Sequence, residues 1–168
     1  MTGTIGDHGF AVMAHRNGID VGSELCSDVA PINGLIRGVL KIGGASITAM
    51  KDPTRGGVAS ALSEMAEKSG VGVLIEQEKL PLSQAAEGAA ELLGIDPLHV
   101  ANEGKAVIGV RPDAADAVLR VLRDHPLGVR AEVIGTAIEN HVGSVILDTG
   151  FGRRIVAELD GEPLPRIC

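Results

Sequence analysis

Apolar residues recur along the chain in short runs that glycine and proline separate. Where the apolar positions keep a helical spacing and a glycine follows the run, the pattern predicts a helix. Asp7 is expected to cap the first helix and Gly18 to end it, and Ser83 is expected to cap the fourth. The second and third predicted helices cover residues 32–42 and 58–68. The fourth covers residues 83–93, and a fifth begins at residue 113.

Other apolar runs are shorter, and their composition favours strands. The predicted strands are residues 47–50, 71–76, 105–110, 133–138, 145–147 and 155–159. Strands that alternate with helices, followed by strands with short connections, are typical of an α/β (α+β) fold. We therefore expect a mixed β-sheet covered by helices.

The 168 residues predict one domain at residues 1–160 and a tail at residues 161–168. Pro163 and Pro165 exclude a helix in the tail and favour an extended arm. Such an arm reaches roughly 23 Å from Gly161. It carries the thiol of Cys168 at its end.

Composition narrows the functional classes. The net charge is −7, the chain has neither Trp nor Tyr, and its basic residues form no cluster, which argues against nucleic-acid binding. Neither a signal peptide nor an apolar run of about 18 residues is present, so we expect no membrane span. Two cysteines, Cys26 and Cys168, do not suggest a disulfide framework, and a cytoplasmic location is expected.

A strand-to-helix loop at residues 52–57 has two interpretations. It is a turn in which proline and glycine shape the chain, or it is an anion site at the start of a helix. In the second case the helix N-terminus attracts phosphate and an arginine adds a forked donor. The loop contains Asp52, Pro53, Thr54, Arg55, Gly56 and Gly57.

A polar turn at Asn102, Glu103 and Gly104 precedes a strand. It is either an ordinary connection or the position of a general base, since a carboxylate near a phosphate site can accept a proton. The five histidines show no ligand spacing, and no resident metal is expected. Cys26 is expected to pack as a small apolar side chain.

Cys168 is the most unusual position. A cysteine at the end of a chain contributes nothing to packing, and no residues follow it to form a prenylation box. A nucleophile or covalent carrier explains it, because a thiolate on an arm can collect a group and present it elsewhere. Retention of the thiol by chance is the alternative.

These motifs together resemble the C-terminal domain of the HypE family of hydrogenase expression/formation proteins, in the aminoimidazole-ribonucleotide synthetase superfamily. The resemblance covers nearly the whole chain. It includes residues 6–9, 27–28, 52–57, 101–105 and the terminal sequence at residues 163–168.

The resemblance implies an activity. In that family the carbamoyltransferase HypF loads a carbamoyl group onto the terminal cysteine, and HypE dehydrates it to a thiocyanate with ATP and Mg²⁺. The cyano group then passes to iron on the HypC–HypD complex, for the cyanide ligands of [NiFe]-hydrogenase. The family protein is expected to be a homodimer.

By the same resemblance, Cys168 is the carrier and Glu103 the base. The residues expected to contact the nucleotide are Asp52, Thr54, Arg55, Gly56, Gly57 and Asn102. The resemblance also implies a preceding domain of similar size that binds most of the ATP, so this chain alone is expected to be inactive. A non-catalytic docking domain and half of another ATP-dependent synthetase remain the alternatives.

Overall fold

The computed structural model describes residues 1–19 and 24–157. The predicted tail at residues 161–168, with Cys168, lies outside the described residues. The last two positions of the strand predicted at residues 155–159 lie outside them as well.

Within the described ranges five α-helices form at the expected places. Each of the first four is followed by a glycine, and Ser83 caps the fourth helix by accepting a hydrogen bond from the amide of Ala86 at 3.0 Å. The helices are α1 (Asp7–Asn17), α2 (Asn33–Gly43), α3 (Gly57–Ser69), α4 (Gln84–Leu93) and α5 (Pro112–Arg123).

One predicted cap is wrong. Gly6 occupies the N-cap of α1 in a left-handed conformation (φ 88°), and no side chain caps that helix. Asp7 is instead its first helical residue. Its carboxylate accepts a hydrogen bond from Ser83 at 2.5 Å, so it joins the starts of α1 and α4.

The described part of the chain forms six strands, and the mixed α/β class is confirmed. The strands are β1 (Ile47–Lys51), β2 (Gly72–Glu76), β3 (Val107–Val110), β4 (Gly135–Ile138), β5 (Val145–Asp148) and β6 (Arg153–Ile155). Among the described residues they divide between two sheets, an antiparallel pair β1–β3 and a four-stranded sheet in the order β4-β2-β5-β6. In the second sheet β2 is parallel to β5, and the other pairs are antiparallel.

Strand β3 begins later than its apolar pattern predicts. Lys105 is drawn into an ion pair with Asp28, and Ala106 exchanges hydrogen bonds with Thr2. The amide of Thr2 donates to the Ala106 carbonyl at 3.0 Å, and the Ala106 amide donates to the Thr2 hydroxyl at 2.9 Å. Lys105 therefore pairs with Asp28 and Ala106 with the start of the chain, and neither residue is in the ladder with β1.

Three apolar clusters of described residues hold the elements together. The largest lies between α3 and the sheets, a second joins α1 to α4 around Phe10, and a third joins α2 and α5 to the β1–β3 pair. The buried members of the largest cluster include Val58, Ala61, Leu62, Ile75, Val107, Val145 and Leu147. The cluster under α3 fixes the start of that helix, which carries the loop described next.

Candidate functional site

The loop at residues 52–57 joins β1 to α3. Asp52 and Arg55 are exposed and Thr54 is half-buried, whereas Pro53 is fully buried and anchors the loop. The Thr54 hydroxyl donates a hydrogen bond to the Asp52 carboxylate at 3.1 Å. The loop therefore presents a carboxylate, a hydroxyl and a guanidinium at the beginning of a 13-residue helix.

Two glycines shape the start of that helix. Gly56 and Gly57 both have left-handed backbones, with φ of 69° and 64°. A Cβ atom on Gly57 would lie 2.6 Å from the carbonyl oxygen of Val100 and would also collide with the carbonyl of Leu98. Gly57 is thus required both for its conformation and for the close approach of residues 98–100.

Asn102 connects this loop to the turn that carries Glu103. Its backbone amide donates to the Pro53 carbonyl at 3.0 Å, and its side-chain Nδ2 donates to the carbonyls of Pro53 and Val100 at 3.3 and 2.8 Å. Its Oδ1 accepts from the amide of Gly6 at 2.8 Å. Only 2 % of Asn102 is exposed. The residue predicted to contact nucleotide therefore has its side chain bonded to three backbone segments.

Glu103 and Gly104 continue the turn, and both are half-buried. Gly104 has a left-handed backbone (φ 65°), and a Cβ there would lie 2.5 Å from the carbonyl oxygen of Ala30. The segment at residues 24–30 is consequently packed directly against the turn of Glu103. Sequence reasoning missed this contact, although the glycine after Glu103 was a signal that the backbone approaches another segment closely.

Cys26 lies in that segment, and its predicted packing role is wrong. The residue is exposed and its thiol is free. The apolar side chain that the segment does bury is the neighbouring Leu25, which joins the cluster around Phe10. One buried neighbour is enough to anchor the segment, so the cysteine beside it faces outward.

The start of α1 holds a second feature that sequence reasoning did not assign. Asp7 is 8 % exposed, and among the described residues its Oδ2 atom has no hydrogen-bond partner. Its other oxygen accepts the hydrogen bond from Ser83. Since negative charge is favoured near a helix N-terminus, the starts of α1 and α4 help to stabilise this carboxylate.

The described candidate residues range from exposed (Asp52, Arg55) through half-buried (Thr54, Glu103) to buried (Asn102). A depression of about 380 Å³ occupies the face of the four-stranded sheet that α3 does not cover. The residues that line it are Leu74, Ile138, Asn140, His141, Ile146, Arg153, Arg154 and Ile155. None of the described site residues is among them. Within residues 1–19 and 24–157 no three His, Cys, Asp or Glu side chains are grouped to hold a metal.

Residues 1–148 match the protein family described as AIR synthase related protein, C-terminal domain. The chain belongs to this family. The match contains the loop at residues 52–57, Asn102 and Glu103, and so includes all the described candidate residues.

Individual relatives are more specific. The chain is 47 % identical over its whole length to the carbamoyl dehydratase HypE of Rhizobium leguminosarum bv. viciae, of which it covers 48 %. It superposes on HypE in a crystal structure of a HypE–HypF complex with a TM-score of 0.89 and 44 % identity, covering 94 % of this chain and 51 % of that one. It also matches a HypE structure in complex with ATP, with a TM-score of 0.91 and 33 % identity over 99 % of this chain and 51 % of that one.

The expected resemblance to HypE is thereby confirmed. The chain spans about half the length of the curated relatives it matches. No helix in the described ranges is both long and apolar enough to cross a membrane.

Proposed function

We propose that this chain is the carbamoyl-carrying half of a HypE-type carbamoyl dehydratase. The observation that carries the proposal is the double hydrogen bond from Asn102 to the Pro53 carbonyl. It holds the turn of Glu103 against the loop at residues 52–57. A proton acceptor beside a phosphate-binding loop is the arrangement that an ATP-dependent dehydration needs. The carbamoyl dehydratase relatives, which match the whole chain, support the same function.

The proposed reaction begins with a carboxamide on the sulfur of Cys168. Its oxygen is a poor leaving group until ATP supplies a phosphoryl group to it. Departure of phosphate then breaks the C–O bond while both nitrogen protons are lost, leaving a thiocyanate. Carboxamide and ATP are thus converted to thiocyanate, ADP, phosphate and one free proton.

Each candidate residue has a part in this scheme. Glu103 accepts a proton from the carbamoyl nitrogen. The N-terminus of α3, with Gly56, Gly57 and Arg55, faces the phosphates and favours their negative charge. Asn102 supports the nucleotide site by holding Pro53, because its side-chain amide is already bonded to backbone.

We assign the rest of the nucleotide site to a preceding half, which agrees with the chain covering only about half of the relatives it matches. We call the combination of that half with this chain the two-domain protein, and we expect it to form a homodimer. The carboxylate of Asp52 and the hydroxyl of Thr54 are oxygen donors of the kind that Mg²⁺ prefers, so the loop fits a magnesium-bound nucleotide. The proposed partners are HypF, which loads the carbamoyl group, and the HypC–HypD complex, which receives the cyano group in the cytoplasm.

The carrier role is tested by intact mass. The chain is incubated with HypF, carbamoyl phosphate and ATP, and the modified residue is located by peptide mapping. We expect the wild-type chain to gain the mass of one carbamoyl group on Cys168. The Cys168→Ala variant should gain none, and the Cys26→Ala variant should gain the same mass as wild type. Cys26 is a stringent control because its thiol is exposed. A carbamoyl group on Cys26 would refute the assignment, and binding to HypF without any gain in mass would favour the docking-domain alternative.

The half-site role is tested by ATP hydrolysis. The chain alone is expected not to hydrolyse ATP. The two-domain protein is expected to hydrolyse ATP while it converts the carboxamide on Cys168 to the thiocyanate. The contrary outcome is steady ATP hydrolysis by the chain alone, with no hydrolysis by its Arg55→Ala variant. That result would overturn the assignment of most of the ATP site to the preceding half.

A further inference from the structure

Lys105 is a buried cation two positions after Glu103. Its side chain is 8 % exposed, and its Nζ forms an ion pair with the Oδ2 atom of Asp28, whose side chain is 30 % exposed. Removing an ammonium group from water is costly unless it is paired, so this lysine is held in place by the carboxylate. Other lysine pairs in the described part of the chain, such as Lys51 with Glu64, leave the ammonium group more exposed.

Asp28 belongs to the segment that packs against the turn of Glu103. The Asp28 Oδ2 atom that pairs with Lys105 also accepts a hydrogen bond from the Thr4 hydroxyl at 3.3 Å. Beside it, the Ser27 hydroxyl and Nδ1 of His8 lie 2.7 Å apart in a hydrogen bond. The segment is therefore fastened to the start of the chain as well as to Lys105, which makes it a fixed support.

Glu103 consequently lies between two anchored neighbours. On one side Asn102 is bonded to Pro53, Val100 and Gly6. On the other side Lys105 is paired with Asp28. Gly104, which separates Glu103 from Lys105 in the chain, lies against Ala30. A turn held at both ends fixes the backbone of Glu103 and so restricts the positions that its carboxylate can take.

We propose that the Asp28–Lys105 ion pair positions Glu103 for proton transfer. The inference rests on the proposed function, in which Glu103 is the base. Neither residue is assigned contact with the carbamoyl group. Their part is to keep the carboxylate within hydrogen-bond reach of the proton it removes, and displacement of a reacting group by about 1 Å can cost on the order of 10²-fold in rate.

The kinetic test uses Lys105→Met in the two-domain protein. We expect thiocyanate formation from carbamoylated Cys168 to be about 10- to 100-fold slower, with loading by HypF unchanged. Lys105→Arg, which keeps the charge, should recover most of the rate. Lys51→Met is the matched control, because it also breaks a lysine–carboxylate pair, the one that joins β1 to Glu64 of α3, and it should leave the rate within about twofold.

A double-mutant cycle with Glu103→Gln separates positioning from a general structural effect. If Lys105 acts through Glu103, then adding Lys105→Met to Glu103→Gln causes little further loss. An equal loss in both backgrounds, or a normal rate in Lys105→Met alone, would overturn the proposal. Carbamoylated wild-type protein that forms no thiocyanate would instead refute the proposed function.

Hydrogen exchange on the chain itself gives a readout independent of catalysis. In Lys105→Met we expect the amides of residues 102–104 and 24–30 to exchange at least about tenfold faster, while α3 is unchanged. Lys51→Met should leave both segments as protected as in wild type. Unchanged protection of the two segments in Lys105→Met would refute the ion pair as their fastening, whatever the activity.

Discussion

The carbonyl oxygen of Pro53 accepts two hydrogen bonds from Asn102, one from its backbone amide at 3.0 Å and one from its side-chain Nδ2 at 3.3 Å. The two residues are 49 positions apart in the chain. This contact joins the loop ahead of α3 to the turn of Glu103, so a change at either residue is expected to affect both parts of the proposed site.

Asn102→Ala is expected to lower the free energy of unfolding by about 2–3 kcal/mol, because it leaves the buried Gly6 amide and the Val100 carbonyl without these partners. Chemical denaturation measures the change. Asn140→Ala is the control, since Asn140 is exposed and its replacement should cost no more than about 0.5 kcal/mol. Equal effects of the two substitutions would contradict the anchoring role of Asn102.

Glu103→Gln is expected to leave carbamoyl loading of Cys168 intact and to slow thiocyanate formation by about 10²–10⁴-fold, the usual contribution of a general base. The amide keeps the shape of the carboxylate but cannot accept a proton at neutral pH. Single-turnover measurements on the carbamoylated two-domain protein separate this step from loading. A variant that forms thiocyanate at the normal rate would show that Glu103 is only a turn residue.

Gly57→Ala and Gly70→Ala form a matched pair at the two ends of α3. Both glycines have φ of 64°, but only Gly57 faces backbone carbonyls at the position of a new Cβ, and Gly70 faces open space. Gly70→Ala should therefore cost only the conformational strain of about 1 kcal/mol. Gly57→Ala should cost more than about 2 kcal/mol, because a steric clash is added. Thermal or chemical unfolding compares them, and similar losses would disprove the close approach.

The pH dependence of Glu64 provides a further test. Hydrogen bonds from Lys51 and then Lys68, each 3.0 Å long, lower the pKa of its carboxyl below the ordinary value of 4.5. A carboxyl whose pKa is lower in the folded than in the unfolded state stabilises the fold at pH values above its unfolded-state pKa. That stabilisation is lost as the pH falls through its folded-state pKa. Glu64→Gln should thus lower the free energy of unfolding at pH 7 by less than about 1 kcal/mol. The difference should vanish in acid and shrink in high salt, and a difference that persisted at pH 2 would exclude the ion pairs as its cause.

Local signals predicted most of the secondary structure. Ser83 was expected to cap α4 and does, and glycine ends α1 and α3 as expected. These signals work because a cap or a left-handed glycine depends on only the few residues around it. The predicted cap at Asp7 was wrong because its carboxylate bonds to Ser83, a residue 76 positions away that no local pattern reveals.

The sequence by itself determined the α/β class, the resemblance to HypE and the motifs that hold the candidate residues. Only the tertiary structure decided that Asn102 joins the two motifs, that Cys26 is exposed and that Lys105 pairs with Asp28. The physical reason is distance along the chain. Propensity and capping act within a few residues, whereas these contacts form only when packing of the helices on the sheets brings remote segments together.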